Sequence, residues 1–471
     1  MKNSAILIIV LVAGVIAPLD AQGQNYVVTL AEAQAVALEK AFAMQYAALD
    51  RSKAERDVKG VLASGLPQVN LIADYSQYID IPTQVAAGDV FGFPEYLTSF
   101  LGGVSQATGV SLNQPPADPD ALSEFQFGQA HTANVGIQAS QLVFSGSYFV
   151  GLRAAQLYVD VQDRAAERTA DEVLTQVAEA YHLALGAEEA LSLAQESVKL
   201  IEQSRSEVSA LQSEGFADAL SVDRLNLAKT ELEAQVLNAE RQVALTKGLL
   251  AFQMGIGLQD ELTLADDLET LLANGQELEW MSRSFDPSAV PAIQEQQMYF
   301  ELAGLDVMNQ KAKGWPQIGA FYTNQGNAQR DAFNFLDGDE KWYPVQLWGL
   351  NMSMPLWTSF GGKQLVEKKK IEQERARIGL GQLTQAAEME FGNARAGFAN
   401  ATAVLNNART AEAIAGKIYS QTEIGFNEGV VSSFEWTESR NELLQARSNR
   451  LAASLNWLNA RVALQATLSA F

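Results

Sequence analysis

The sequence predicts a mainly α-helical chain with a small amount of membrane β-structure. Long, proline-poor stretches rich in Ala, Leu, Glu, Gln and Arg indicate helices. Between them lie short segments in which apolar and polar residues alternate, as in strands with one apolar and one hydrated face. The same order of elements occurs twice along the chain, which indicates an internal duplication.

The longest predicted helices form two hairpins, at about 147–255 and 360–470. In each hairpin a rod on the order of 100 Å stops at a glycine turn, and a second long helix follows. The turn glycines are Gly215 and Gly429. The four helices are predicted at Ser147–Ser213, Leu220–Gln253, Lys363–Asn427 and Phe434–Leu468.

One face of the first rod repeats small apolar residues every three or four positions. A two-stranded coiled coil normally prefers Leu and Ile in such a seam, so the alanines favour closely packed neighbours in a larger helical assembly. An ordinary two-helix coiled coil fits the same pattern. The seam residues are Val173, Val177, Ala180, Ala184, Ala187, Leu191, Ala194, Val198, Ile201 and Val208.

Four strands are predicted, at about 67–78, 131–144, 316–325 and 345–357. Aromatic residues crowd their ends, as in the interfacial belts of membrane barrels, although core aromatics of a soluble sheet give the same pattern. The smallest bacterial barrels have eight strands, so several copies of the chain are needed to close one. Geometry alone leaves a dimer and a trimer open.

The duplication sets the predicted domain boundaries. Pro67 matches Pro316 and Gly215 matches Gly429, which gives a first repeat at 22–256, a connecting equatorial segment at 257–285 and a second repeat at 286–471. The first strand pair carries a longer insert, Ile79 to Ala130, which is rich in Pro, Gly, Ser and Asp. We interpret this insert as a long surface loop.

The N-terminus has the layout of a secretory signal peptide, predicted at residues 1–21. Lys2 precedes a mostly apolar run, and Ala21 marks the expected cleavage position. No later segment has 18 consecutive apolar residues, so membrane entry is expected as strands rather than helices. We therefore expect an exported protein.

The composition excludes several functional classes. The chain has 471 residues and a net charge of -23, whereas nucleic-acid binding requires a basic footprint. It has no cysteine, and its two histidines, His131 and His182, lie on different predicted elements. No nucleotide-binding or nucleophile motif occurs in a suitable context. We expect no enzyme activity, no cofactor and no metal site.

The chain resembles the TolC-like outer-membrane efflux family. The resemblance rests on the duplicated strand pair and hairpin, the junction Pro355 to Lys363 and the helix start Glu214 to Asp223. It implies a homotrimer with a twelve-stranded β-barrel, continued by a long periplasmic α-helical barrel. It also implies a location in the bacterial outer membrane and docking to a periplasmic adaptor and an inner-membrane transporter.

The resemblance implies an export duct that closes near the second hairpin turn. In the family, an acidic pair spaced three residues apart lines the closed end, and the matching residues here are Glu435 and Glu438. Rings of carboxylates in a channel favour cations over anions. The alternative is two solvated glutamates that favour the helix dipole. Two positions after the turn glycine Gly429, where the family often has a basic residue that locks the closed tip, this chain has Val431. The contacts that close the tip in the family are therefore not assigned to this chain. Candidates for adaptor contact at the two turns are Gly215, Phe216, Asp218, Gly429, Val430 and Val431.

A second class of function fits the helices equally well. A soluble periplasmic coiled-coil adaptor or scaffold explains both hairpins but gives four alternating, aromatic-ended strands no purpose. Solubility without detergent distinguishes this alternative from a channel. The cargo stays open between drugs, metal cations, other small solutes and polypeptides.

Overall fold

The computed structural model describes residues 25–87, 95–110, 122–126, 128–215, 219–273 and 281–469. The predicted signal peptide lies outside this range. The chain divides into two compact units. The helical unit comprises the chain up to Asp57, Ala154–Val307 and the chain from Glu367, and the strand unit comprises Val58–Arg153 and Met308–Val366.

Helices make up most of the described chain. The longest, α4 and α8, contain 68 and 67 residues, and their ends lie within two residues of the predicted ones. None of the described helices is both long and apolar enough to span a bilayer. The helices are α1 Leu30–Lys40, α2 Phe42–Ser64, α3 Glu95–Thr108, α4 Gly146–Ser213, α5 Ala219–Met254, α6 Leu268–Ala273, α7 Pro291–Ala312, α8 Gly361–Asn427 and α9 Ser433–Thr467.

The strands form three sheets. Two small sheets contain a parallel pair, β1 with β6, and an antiparallel pair, β3 with β4. The third is a four-stranded antiparallel sheet in the order β2-β5-β7-β8. The strands are β1 Asn25–Val28, β2 Gln68–Gln77, β3 Thr83–Ala87, β4 Leu122–Gln126, β5 His131–Ser145, β6 Glu261–Leu264, β7 Gln317–Arg330 and β8 Tyr343–Ser353.

The core of the helical unit lies where the long helices meet the β1–β6 pair. Trp457 of α9 is 1% exposed, packs against Phe398 of α8 and donates its indole hydrogen to Thr402 Oγ1 at 3.0 Å. The fully buried Tyr181 of α4 donates its hydroxyl hydrogen to the carbonyl of Val28 at 3.1 Å. A buried tryptophan and tyrosine each need a polar partner, and these bonds supply it.

Helices α4 and α9 pack against each other as an antiparallel pair. Gly186 of α4 lies so close to Leu455 of α9 that a Cβ at this position would overlap the leucine side chain. One turn away, His182 Nδ1 is 3.1 Å from Asn459 Oδ1. Val177 and Ala184 of the predicted seam are fully buried. Small residues in α4 therefore permit the close approach of a helix from the other hairpin.

The four-stranded sheet has two faces of different character. In an antiparallel register, directly paired residues share a face. Leu71 pairs with Ile137, and Tyr322 pairs with Trp348; this apolar face leaves Leu71 78% and Trp348 75% exposed. The opposite face is mostly polar, and its residues include Asn70, Asp74, Asn134, Gln138, Thr323, Gln325, Asn327 and Asn351.

The insert at 79–130 differs from the predicted surface loop. It contains the antiparallel β3–β4 pair and helix α3, and Tyr78 N donates to Ala130 O at 2.8 Å where the ladder between β2 and β5 reaches the insert. Backbone groups of the insert thus find partners within it, which Pro and Gly content did not indicate. The prediction of two repeats divided at 257–285 stays a prediction.

Candidate functional site

Both hairpin turns begin with a glycine in the left-handed region. Gly215 has φ +80° and Gly429 has φ +76°, which glycine adopts without a Cβ penalty. At the end of α4, Gly215 N donates to Gln212 O at 3.0 Å; at the end of α8, Gly429 N donates to Phe426 O at 3.0 Å. These bonds satisfy carbonyl groups that the helix leaves free at its C-terminus.

The second turn is closed by two valines. Val430 N and Val431 N both donate to Gly425 O, at 2.9 and 3.1 Å. Their methyl groups cover Gly425 so tightly that a Cβ there would lie 2.5 Å from Val431 Cγ2. Val431 is half-buried, whereas Val430 is 77% exposed. Both valines were predicted to contact an adaptor, and Val430 is the one whose side chain is open to a partner.

Glu435 forms a capping box at the start of α9. Ser432 N donates to Glu435 Oε2 at 3.1 Å, and Glu435 N donates to Ser432 Oγ at 3.3 Å. The carboxylate therefore satisfies a free amide of its own helix terminus. This arrangement matches the alternative reading of a helix-start glutamate, and it also fixes the direction of the carboxylate.

Glu438 lies one turn further along α9 and is exposed. Within the described residues its carboxylate has no hydrogen-bond or ion-pair partner. Between the two glutamates, Trp436 is 4% exposed and stacks on Phe426 of α8, with ring centroids 4.4 Å apart and planes 10° apart. Because the indole anchors this turn of α9 to α8, the two glutamates are held on the opposite, solvated side.

A cation is buried beneath this turn. Arg440 of α9 is 2% exposed and donates to Ser204 Oγ of α4 at 3.4 Å. Burial lowers the pKa of the Arg440 guanidinium. Nearby, burial and a 2.8 Å bond to Glu423 raise the pKa of Tyr419 to about 12. Among the residues that the structure describes, the guanidinium is held by one long hydrogen bond, so little free energy is needed to break this contact between the hairpins.

At the first turn, only part of the predicted contact set can be assessed. Phe216 and Asp218 lie outside the described residues, while Gly215 is exposed. Close by, Arg224 of α5 lies 5.8 Å from the ring centroid of Phe434 of α9. This cation–π contact joins the start of α5 to the start of α9.

Sequence reasoning missed three residues that organise this region: Arg224, Trp436 and Arg440. The available signal was a pair of aromatics, Phe426 and Trp436, on either side of the turn glycine. No pattern in the sequence marks Arg440 as buried. No set of three or more acidic or histidine side chains in the described part of the chain is arranged to hold a metal ion.

Comparison with known proteins gives a consistent result. Residues 289–470 match the family described as outer membrane efflux protein. A comparison with curated protein sequences finds no relative of the chain. Solved structures match over almost the whole length, although their sequences are distant.

Three solved structures illustrate the likeness. The channel-forming protein CusC is 15% identical, with a TM-score of 0.69 over 94% of this chain and 93% of its own. The CmeC outer membrane channel of Campylobacter jejuni is 14% identical, with a TM-score of 0.67 over 94% and 85%. The MtrE outer membrane channel of Neisseria gonorrhoeae is 16% identical, with a TM-score of 0.68 over 93% and 88%.

These findings confirm the predicted resemblance and the predicted class of outer-membrane efflux duct with a periplasmic extension. They do not favour the soluble adaptor. Residues 289–470 therefore resemble the outer membrane efflux protein family in sequence, and the described residues share the fold of solved outer membrane channels.

Proposed function

We propose that three copies of this chain close a twelve-stranded barrel in the outer membrane and continue into a helical tunnel in the periplasm. The observation that carries the proposal is the four-stranded sheet. Its edge strands, β2 and β8, have no second partner in the described part of the chain. A sheet edge cannot lie in lipid, because each unpaired backbone group costs several kcal/mol there. Pairing β8 of one copy with β2 of the next removes every edge.

The two faces of the sheet suit this arrangement. Barrel strands present apolar residues to lipid and polar residues to the lumen. The exposed apolar face, with Leu71, Trp348 and Leu350, therefore faces lipid, and the face with Asn70 and Gln138 lines the channel. The internal duplication supplies two such strand pairs per copy.

The helical unit offers a surface for the neighbouring copies. On α2, Phe42, Tyr46 and Leu49 are 52%, 68% and 65% exposed at helical spacing. On α5, Leu245 and Phe252 are 69% and 54% exposed, and the rings of Phe42 and Phe252 are 6.0 Å apart. An exposed apolar patch of this kind marks an interaction site. We assign it to contacts between copies.

The two hairpin turns form the periplasmic tip of the proposed duct. Exposed apolar side chains near the turns, Leu220, Leu227, Val430 and Phe434, offer a docking surface for a periplasmic adaptor. The adaptor links the duct to an inner-membrane transporter, as in tripartite efflux or type I secretion. The duct itself is passive, and export energy comes from that transporter.

The tip is proposed to be the gate, with Glu438 as its charged residue. Three exposed, unpartnered carboxylates around one axis favour cations and oppose anions. Glu435 contributes charge from a fixed direction, because its carboxylate is tied to Ser432. Opening separates the hairpins at the contacts Arg224–Phe434 and Ser204–Arg440.

The assembly is tested by extracting membranes in mild detergent and measuring mass and shape on one sample. Three copies of the 51.0 kDa chain, less the signal peptide, give a particle of roughly 150 kDa. A detergent-free monomer or dimer contradicts the proposal and restores the soluble adaptor.

The gate is tested by measuring ion selectivity in planar bilayers. Glu438→Gln removes the charge, and Glu435→Gln removes a charge while keeping a side chain that suits a capping box. We expect both variants to lower cation preference and to weaken block by multivalent cations, with the larger effect from Glu438→Gln. Unchanged selectivity in both variants removes these residues from the gate.

A further inference from the structure

The four strands of the proposed barrel carry very few charges. The acidic, basic and imidazole side chains within β2, β5, β7 and β8 are Asp74, His131 and Arg330. All other polar side chains in these strands are amides, hydroxyls or phenols. In a chain with a net charge of -23, the barrel wall is thus almost neutral, and each of its few charges acts against an uncharged background.

The register places Asp74 on the hydrated face. Asp74 of β2 pairs with Asn134 of β5, which pairs with Asn327 of β7, which pairs with Tyr343 of β8. Asn327 Nδ2 donates to Asn134 Oδ1 at 2.6 Å. A row of polar side chains therefore crosses all four strands at one level, and Asp74 is its only carboxylate.

The basic groups of the sheet lie on the opposite face. Arg330 pairs with His131, which pairs with Gln77; this row lies three positions from the Asp74 row, on the face that carries Tyr75. The Arg330 guanidinium donates to Asn334 O at 2.5 Å and lies 5.1 Å from the Phe335 ring centroid, while His131 Nδ1 is 2.9 Å from the Tyr75 hydroxyl. Both groups are therefore directed away from Asp74.

The Asp74 carboxylate is exposed and open to ions. None of the side chains that the structure describes forms an ion pair or hydrogen bond with it. Its nearest neighbours on the same face of β2, the half-buried Ile72 and the exposed Ser76, are uncharged. An unneutralised carboxylate on a neutral wall is the strongest local charge that a passing ion meets there.

We propose that Asp74 is a second selectivity residue, set in the barrel and separate from the tip. The inference rests on the proposed trimer, in which three copies place three Asp74 carboxylates in a ring inside the lumen. Rings of Asp or Glu side chains select cations in channels because they lower the energy of a cation and raise that of an anion. The favoured ligand class is small cations, with multivalent cations held most strongly.

The size of the effect follows from the barrel dimensions. Twelve strands about 4.8 Å apart and tilted by roughly 40° give a backbone radius of about 12 Å, with the carboxylates about 9 Å from the axis. In water at 0.1 M salt, three such charges favour a monovalent cation over an anion at the axis by a factor on the order of five. At 1 M salt the Debye length falls to about 3 Å and the preference almost vanishes.

The test compares reversal potentials in planar bilayers under a salt gradient at 0.1 M. Asp74→Asn removes the charge and keeps the shape and hydrogen-bonding capacity of the side chain. Asp80→Asn is the matched control, because Asp80 is exposed and follows the strand outside the sheet. We expect Asp74→Asn to lower the cation-to-anion permeability ratio about fivefold, Asp80→Asn to leave it unchanged, and Asp74→Lys to favour anions.

Two negative results have different meanings. Pores of normal conductance whose selectivity is unaffected by both Asp74 substitutions overturn the inference and leave the channel intact. A wild-type protein that forms no pores and remains a detergent-free monomer overturns the proposed function, and the inference falls with it. Combining Asp74→Asn with Glu438→Gln separates the two rings, since independent sites multiply their effects on the permeability ratio.

Discussion

Replacing Trp436 with alanine is expected to loosen the periplasmic tip. The side chain is 4% exposed and stacks on Phe426, so its removal takes away both apolar burial and a ring contact. Truncating a buried tryptophan to alanine costs about 3–5 kcal/mol, of which an aromatic pair accounts for about 0.5–1.5 kcal/mol. Because α9 continues far beyond this turn, we expect local opening rather than global unfolding.

The magnitude can be measured by amide hydrogen exchange. Each 1.4 kcal/mol changes an equilibrium tenfold, so a loss of 3–5 kcal/mol raises the opening equilibrium of this segment by about 100- to 4,000-fold. We expect faster exchange in the last turns of α8 and the first turns of α9, and a larger or more frequent conductance in bilayers. Core amides around Trp457 keep their protection.

Two control variants define the mechanism. Trp436→Phe keeps a ring against Phe426 and is expected to show a much smaller change. Ile424→Ala removes an apolar side chain of the same hairpin that is 55% exposed, so little burial is lost. If Trp436→Ala changes exchange less than tenfold, or no more than Ile424→Ala does, the indole does not anchor the tip and the reasoning fails.

Three further predictions concern capping, a buried cation and a buried imidazole. Ser432→Ala should destabilise the start of α9 by about 1 kcal/mol, as measured by local hydrogen exchange. Glu435→Gln should have little effect there, because glutamine also suits a capping box; equal effects of the two variants contradict the capping box. Arg440→Met should be neutral or stabilising by about 1–4 kcal/mol in denaturant unfolding, because among the described residues no carboxylate offsets the cost of burying the guanidinium. Strong destabilisation argues for an essential contact with Ser204. Burial lowers the pKa of His182 from 6.5 to about 4, so the unfolded chain binds more protons between these values and stability falls as pH drops through this window. The free energy of unfolding falls by on the order of 3 kcal/mol across this window. His182→Leu should flatten the pH dependence of unfolding, and an unchanged pH dependence refutes the role of His182.

The long helices were predictable because their signals are local. Proline is almost absent from them, and each hairpin turn requires a residue with positive φ, which Gly215 and Gly429 supply. Their predicted ends therefore lie close to those of α4, α5, α8 and α9. In contrast, β1 and β6 contain four residues each and pair across more than 200 positions, so neither has a usable pattern by itself.

Strand alternation located the four-stranded sheet but not all of its extent. Strand β7 continues to Arg330, five residues past the predicted end, although Asn324–Arg330 contains no apolar alternation. Pairing with β5 continues through this segment and supplies its backbone with partners. Pairing with a neighbour, rather than the segment's own pattern, determines where β7 ends.

In the candidate site, the sequence indicated the acidic pair and the residues of the two turns but not the buried side of the second turn. Glu435 and Glu438 were identified through a family resemblance, and the roles that the geometry gives them differ: one caps a helix and the other is free of partners in the described chain. Trp436 and Arg440 lie on the buried side of the same turn. Their burial depends on helices α4 and α8, which are distant in sequence, so no local pattern reveals it.

The open edges of the sheet also constrain the order of events during biogenesis. In the described part of a single copy, the four-stranded sheet has two unpaired edges and an exposed apolar face, a combination that templates aggregation. In the proposed barrel those edges cannot enter lipid unpaired, so the copies must meet before or during insertion. The yield of assembled protein should therefore depend on how long periplasmic chaperones prevent unassembled chains from aggregating. Assembly, rather than folding of the helices, is then the vulnerable stage in producing this protein.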